Sequence, residues 1–383
     1  MISAYQLMKI LDRYVLKEFF VPFIYCIFGF IAIWFIFDLS DNLTDFLEGK
    51  VGFAVLLEYY KSQVPEIIVV TLPIGQLLAL LYALTAMSRT NELISMLGAG
   101  LSVVRILVPL FAVGFVLVGV TAYFNYESAP HAAMVKKQML REIKRGRKLE
   151  TGLAAHLYRN REDFRTWFIR KISTDREKFF DIQILQQDAE GNIMKTWYAR
   201  DGSYDGIAKS WIFRRAKYVE MDTSGKILKS EFVDEIIIPG WRENPWRIAS
   251  SVMNPNYLSV EELQDYLEFN WDFPTVRLAP YRTQLQYRWA LPWVCLLVVF
   301  IGAPLGIVYS RRGILGGVAA AIAIFFSLVF VSSLFVALGK GDRLSPFAAA
   351  WGPMFAYLCV GILLLWYRST NRELPKFKLP WSA

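Results

Sequence analysis

A chain of 383 residues with 55% hydrophobic and 15% aromatic residues is too apolar for an ordinary soluble enzyme and suits a polytopic membrane protein. Its net charge of +8 could suggest a nucleic-acid surface, but cations outside the long polar segment cluster in short loops beside uncharged stretches, which argues otherwise. The uncharged segments are Phe19–Phe37, Ile67–Met87, Ile106–Tyr126, Trp289–Ser310, Gly313–Gly339 and Leu344–Tyr367. A helix needs about 20 apolar residues to cross roughly 30 Å of hydrocarbon. The pattern therefore predicts an α-helical membrane protein of six transmembrane helices, three on each side of an inserted polar domain.

Before the first span, Leu7, Met8, Leu11, Tyr14 and Val15 share one helical face, and Lys9, Arg13 and Lys17 share the other. This predicts an interfacial amphipathic elbow over residues 5–17. The first span is too long for a signal-peptide core and no small-x-small pattern follows it, so it is expected to be retained. Asp38, Asp41 and Asp45 gather at its far end and read as interfacial solvation.

Between spans two and three lies Ser88–Ser102 (SRTNELISMLGAGLS). Thr90 or Asn91 is placed to cap a short helix, and Glu92 stands in its first turn, where the macrodipole favours an anion. Leu93, Ile94, Met96 and Leu97 form an apolar strip, and Gly98 and Gly100 end the helix. Such a strip beside the membrane either packs on the protein's own span ends or docks a partner. His131–Leu149 carries Lys136, Lys137, Arg141, Lys144, Arg145, Arg147 and Lys148 as a helical extension of span three. That run reads either as a solvated face or as cations that meet a phosphorylated headgroup.

The chain then changes to strand pattern at Phe164–Ile172, Asp181–Leu185, Ile193–Ala199, Trp211–Arg215, Tyr218–Asp222 and Ile227–Ile238. Turn signals fall at Asp188–Asn192, Asp201–Gly202, Asp205–Gly206 and Thr223–Gly225, predicting an all-β sandwich or open barrel. Trp197, Tyr198, Trp211 and Phe213 are expected in its core. Pro239–Pro255 reads as a loop and Ser259–Phe269 as a helix with a capping box. In span four, Gly302-Ala303-Pro304-Leu305-Gly306 provides for a kink and for close helix approach.

Lys9, Arg13, Lys17, Arg89, Arg105, Arg311, Arg312, Arg368, Arg372, Lys376 and Lys378 all fall on one side of this topology. The positive-inside tendency makes that side cytoplasmic, with both termini, and places residues 127–288 in the periplasm. Cys26, Cys295 and Cys359 all lie within spans and read as packing residues. The sequence shows no phosphate-binding loop, dinucleotide fingerprint, nucleophile elbow or metal-ligand spacing. The spans also lack interior ionisable residues of the kind that form ion relays, so uphill work would draw on a partner ATPase.

Several strings resemble the LptF/LptG permease family. They are Leu11-Asp12-Arg13-Tyr14, Val64-Pro65, Leu72-Pro73, Asn91 to Gly100, Ala129-Pro130, Pro304-Leu305-Gly306, Arg311-Arg312-Gly313, Leu344-Ser345-Pro346 and Ala350-Trp351-Gly352-Pro353. The resemblance covers nearly the whole chain. It implies a membrane subunit of the lipopolysaccharide-export ABC transporter, in a Gram-negative-type inner membrane, with a jellyroll-like periplasmic β domain. It divides the chain into residues 1–126, with a coupling helix in 88–102, residues 127–288, and residues 289–383.

By the same resemblance, Glu92, Leu93, Met96, Gly98 and Gly100 form the contact with a cytoplasmic LptB-like ATPase dimer. Lys136, Lys137, Arg141 and Lys144 would meet lipopolysaccharide phosphates. Other implied partners are a second LptF/LptG-like permease chain and LptC- and LptA-like periplasmic jellyroll proteins, with no nucleic acid. The chain itself would hold no cofactor, ATP and Mg being bound by the partner ATPase. Asp38, Asp41 and Asp45 depart from the lysines that some members carry at the end of span one. Two other readings compete: a permease of another lipid or lipoprotein exporter, a class that usually has four spans, and a membrane-embedded lipid-modifying enzyme.

Overall fold

The computed structural model describes residues 4–145, 152–160, 163–173, 178–250, 253–307 and 314–370. Arg147, Lys148, Arg311, Arg312, Arg372, Lys376 and Lys378 lie outside them. The chain forms two compact units. One comprises residues 1–139, 256–261 and 275–383, and the other residues 140–255 and 262–274.

The first unit is helical. Its elements are α1 (Ala4–Glu48), α2 (Phe53–Arg89), α3 (Glu92–Gly98), α4 (Val103–Tyr123), a π-helical turn (Phe124–Ser128) and α5 (Ala129–Arg145). After the inserted segment come α8 (Thr275–Ala290), α9 (Val294–Gly306), α10 (Ile314–Lys340) and α11 (Pro346–Ser369). Among the described residues, six helical stretches are long and apolar enough to cross a membrane: Ile10–Glu48, Phe53–Arg89, Val103–Lys137, Thr275–Gly306, Gly316–Lys340 and Pro346–Ser369.

The elbow expected over residues 5–17 is not a separate element. Helix α1 runs unbroken for 45 residues, because no glycine separates the amphipathic segment from the span and Pro22 leaves the helix continuous. At 1.5 Å per residue it is about 68 Å long, well over twice the hydrocarbon thickness.

Helices α2 and α9 are central and bridge two apolar clusters. In one, Leu72, Leu80 and Leu84 pack with Phe19, Leu107, Leu110 and Val299. In the other, Leu77 and Leu81 pack with Leu297, Ile301, Phe325 and Met354. Gly302 and Gly306 permit the close approach: a Cβ at Gly302 would come within 2.9 Å of Leu77 and Leu80. Span one is the opposite case, since only 6% of its most apolar window is buried, against 72% for α2. One long side of the first helix therefore faces whatever surrounds the bundle.

The second unit is built on a six-stranded antiparallel meander: β1 (Gly152–Asn160), β2 (Arg165–Ser173), β3 (Lys178–Gln187), β4 (Ile193–Asp205), β5 (Ser210–Met221) and β6 (Ile227–Pro239). Two short helices, α6 (Pro245–Ser250) and α7 (Val260–Phe269), accompany it. Every strand pairs with its sequence neighbour, so β1 and β6 are edges, and β6 is exposed along most of its length.

A transverse row interrupts the sheet. The pairing register is the same on both sides of this row, yet Ala155, Arg170, Asp181, Arg200, Arg215 and Asp234 drop out of pairing at the same level; the register itself shifts only near strand ends, at Gln186/Gln187 and Glu220/Met221. Asp181 and Arg215 there take left-handed φ values of 50°. The inward alternation shifts by one residue across this row. The buried positions Ile169, Ile182, Ala199 and Ala216 are followed or preceded, three residues away, by Ile172, Phe179, Gly202 and Phe213. One unpaired residue at the same level in every strand shifts the pleat by one position, which keeps the same face apolar on both sides of the row.

This row explains two differences from the sequence reading. Trp211–Arg215 and Tyr218–Asp222 are one strand, β5, with the irregularity at Arg215. Asp201–Gly202 is not a turn but lies inside β4, where a Cβ on Gly202 would meet Ile182 at 2.4 Å. Trp197, Trp211 and Phe213 are core residues as expected, whereas Tyr198 points to the exposed face.

Beneath the buried face, Glu243 accepts two hydrogen bonds from Arg165, at 2.8 Å from Nε and 2.9 Å from Nη2. The Trp211 indole donates to the Glu243 carbonyl at 2.6 Å, and the Arg165 guanidinium lies 4.6 Å from the centre of the Trp241 ring.

Candidate functional site

Residues of interest fall at two ends of the helical unit. At one end α3 lies in the α2–α4 loop. Asn91 precedes it in a left-handed conformation (φ 60°), and its side chain makes no capping bond, unlike the expected cap. The helix ends in a Schellman motif: Gly100 N–H donates to Leu97 O at 3.0 Å and Leu101 N–H to Met96 O at 3.2 Å. Gly100, at φ 89°, supplies the left-handed residue that motif requires.

The apolar strip of α3 divides in two. Leu93 is buried and, with Met96 and Leu97, packs into the bundle's own core. Ile94, Ser95 and Gly98 face outward. Packing on the protein's own span ends thus accounts for Leu93, and the surface available to another molecule is Glu92, Ile94, Ser95 and Gly98, with Met96 at the margin.

Helix α1 brackets this loop at both ends. The Tyr14 hydroxyl donates to Glu92 Oε2 at 2.7 Å. Arg105, in the first turn of α4, makes a two-pronged contact with Asp12, each bond 2.9 Å. Planar guanidinium–carboxylate pairing of this kind fixes orientation as well as distance.

At the other end stands the cation cluster. Asp38 is not solvated, as the sequence suggested, but 8% exposed. Its carboxylate accepts from Lys136 Nζ at 2.7 Å and from the Tyr59 hydroxyl at 3.0 Å. The Lys136 ammonium also lies 4.7 Å from the centre of the Trp34 ring. Lys137 is exposed and rests over Tyr257 at 5.1 Å. Arg141 and Lys144 continue the same helix, and their side chains are outside the described residues. The structure thus brings Lys136 and Asp38 together and leaves Lys137 facing outward.

Sequence reasoning missed Arg288. It is buried and donates to Asn125 O and Oδ1, each at 3.1 Å, to Leu258 O at 3.2 Å and to Asn256 O at 2.7 Å. Asn125 Nδ2 returns a bond to Arg288 O at 2.8 Å. Asn125 lies in the π-helical turn, a distortion that often marks a functional position. An arginine one residue before a charge-free stretch was the available signal.

A family model described as "Lipopolysaccharide export system permease LptF/LptG" matches residues 13–367. The chain belongs to the LptF/LptG family. No curated protein matches the chain. Membership makes this LptF/LptG protein a multi-pass inner-membrane transport subunit of lipopolysaccharide export rather than a catalyst. The family implies membership of the Lpt transporter complex.

Proposed function

We propose that this LptF/LptG protein is one of two permease chains of an ABC transporter that extracts lipopolysaccharide from the inner membrane and passes it to a periplasmic bridge. Both termini and α3 lie on the cytoplasmic side in this reading. Residues 127–288 are periplasmic, between the membrane blocks 1–126 and 289–383. The observation that carries it is α3: a short helix anchored by Leu93, with Ile94, Ser95 and Gly98 turned outward and Glu92 half-exposed beside them at the end of the bundle. A protein with no nucleotide-binding pattern needs such a surface to receive work from a separate ATPase, which holds the ATP and Mg.

Lys136, Lys137, Arg141 and Lys144 are the proposed contacts for lipid phosphates, with Lys137 the one already turned outward. The β6 edge, carrying exposed Leu228, Phe232 and Ile237, suits strand addition by an LptC- or LptA-like jellyroll. Six candidate spans favour this reading over a four-span lipoprotein releaser.

Glu92→Lys tests the ATPase contact. It reverses the charge in the first turn of α3, opposes the helix dipole and removes the acceptor of Tyr14. The expected outcome is loss of the co-purifying ATPase from a variant that still inserts in the membrane. Undiminished attachment and export would restrict α3 to packing within the bundle.

A further inference from the structure

Lys136 is held by two groups on α1, Asp38 and Trp34, which stand four residues apart and so share one helical face. The other end of the same helix is joined to the α3 loop through Tyr14 and Asp12. Tyr14 and Asp38 are 24 residues apart, about 36 Å along an unbroken helix. Between Phe23 and Asp38 no residue of α1 is buried. Near Tyr14 the helix is also packed through Val15, Phe19 and Phe23, and beyond Phe23 it meets α2 through half-buried side chains such as Ile27 and Phe35, so it behaves as one stiff piece pinned by polar contacts toward both ends. Its single proline, Pro22, removes one backbone hydrogen bond close to the Tyr14 end.

We propose that α1 is a rod linking the α3 loop to Lys136, so that displacement of α3 withdraws Asp38 and Trp34 and releases Lys136 to an anionic lipid headgroup. This deepens the proposed function and rests on the docking role of α3. The electrostatics give the reason for withdrawal. A phosphate approaching Lys136 meets the Asp38 carboxylate, with Glu66 of α2 in electrostatic reach of both. Like charges a few ångströms apart in a partly dry site repel strongly, so headgroup and Asp38 compete for one ammonium. Because Asp38 is borne on a continuous helix, exchanging it for a phosphate involves moving α1 itself. Tyr14, Asp12 and Asp38 are positioning residues in this scheme, acting through Glu92, Arg105 and Lys136.

The test uses the complete transporter in lipopolysaccharide-containing proteoliposomes, with Cys26 and Cys359 replaced by alanine; Cys295 is fully buried and does not label. Spin labels at Leu43 on α1 and Val135 on α5, both exposed, report the separation of the two helices by pulsed electron paramagnetic resonance. Trapping the ATPase with ATP and vanadate is expected to shift the Leu43–Val135 distance. The double variant Asp12→Asn, Tyr14→Phe is expected to abolish the shift while the ATPase remains bound and hydrolyses ATP.

As a second measurement, Asp38→Asn opens the pair without touching the loop. It is expected to raise lipid capture by a photoreactive residue at Val135 about fivefold without nucleotide, at the low end of ordinary allosteric coupling. A shift that persists in the double variant, or an ATPase that turns over with no shift in the unmodified loop, overturns the rod. So does unchanged capture with Asp38→Asn. Absence of any bound ATPase overturns the proposed function, and the rod with it.

Discussion

Two ion pairs, Arg165–Glu243 and Lys136–Asp38, illustrate how much a residue's role depends on its partner. Glu243 is wholly buried, and burial alone pushes its carboxyl up. The hydrogen bonds and charge of Arg165 outweigh that effect, so the group titrates below the ordinary carboxylate value. A carboxyl whose folded value is depressed stabilises the fold at pH above its unfolded value, and that contribution is lost as pH falls through the folded value. Glu243→Gln removes one of the two carboxylates that pair with the buried Arg165, Asp163 being the other, a change that costs about 1.5–3 kcal/mol. The expected result is a β unit that melts earlier at neutral pH. Acidification should then destabilise the variant less than the parent, measured by thermal unfolding at stepped pH. Equal melting temperatures at neutral pH would remove the Arg165–Glu243 pair from the account of this unit. Lys136 has the same dependence on context. The sequence offered it as one cation in a run, and Asp38 makes it a paired one.

Among the elements, α9 shows where small residues matter. Gly302 and Gly306 face α2, with Leu77, Leu80 and Leu84 filling the space a side chain would occupy. Gly302→Val is expected to separate the two central helices and cost about 1–3 kcal/mol, as overpacking does. Gly119→Val on α4, where nothing lies within 4 Å, should be tolerated. Detergent-solubilised yield and melting temperature of the two variants check this, and equal behaviour would show that α2 and α9 can part without loss. The sheet teaches a related lesson about reading. Strand existence was legible from alternation, but β5 was read as two strands because the shared irregular row shifts that alternation at Arg215. Strand β1, with small residues and no aromatic run outside Tyr158, carried too weak a pattern to be found.

For the whole molecule, the charge asymmetry of the loops orients the bundle in the proposed topology. Cysteines introduced at Ile207, 98% exposed in the β4–β5 turn, and at Ser369, at the end of α11, are expected to react with impermeant reagents from opposite sides of the membrane. Labelling of both from one side would sink that topology. Six apolar spans, an inserted β unit, the α3 loop and the basic extension of span three all came from the sequence, because each depends on composition or periodicity within a short window. The family strings added the lipid and the expected partners. Tertiary structure alone decided which helices are central, that Asp38 holds Lys136, and that Arg288 gathers Asn125, Asn256 and Leu258. Those contacts join residues 98 and 163 positions apart for Lys136–Asp38 and Arg288–Asn125, and Tyr14 reaches Glu92 across 78. A local pattern reports the solvent that a segment prefers, whereas a long-range pair exists only once packing has brought its two members within reach.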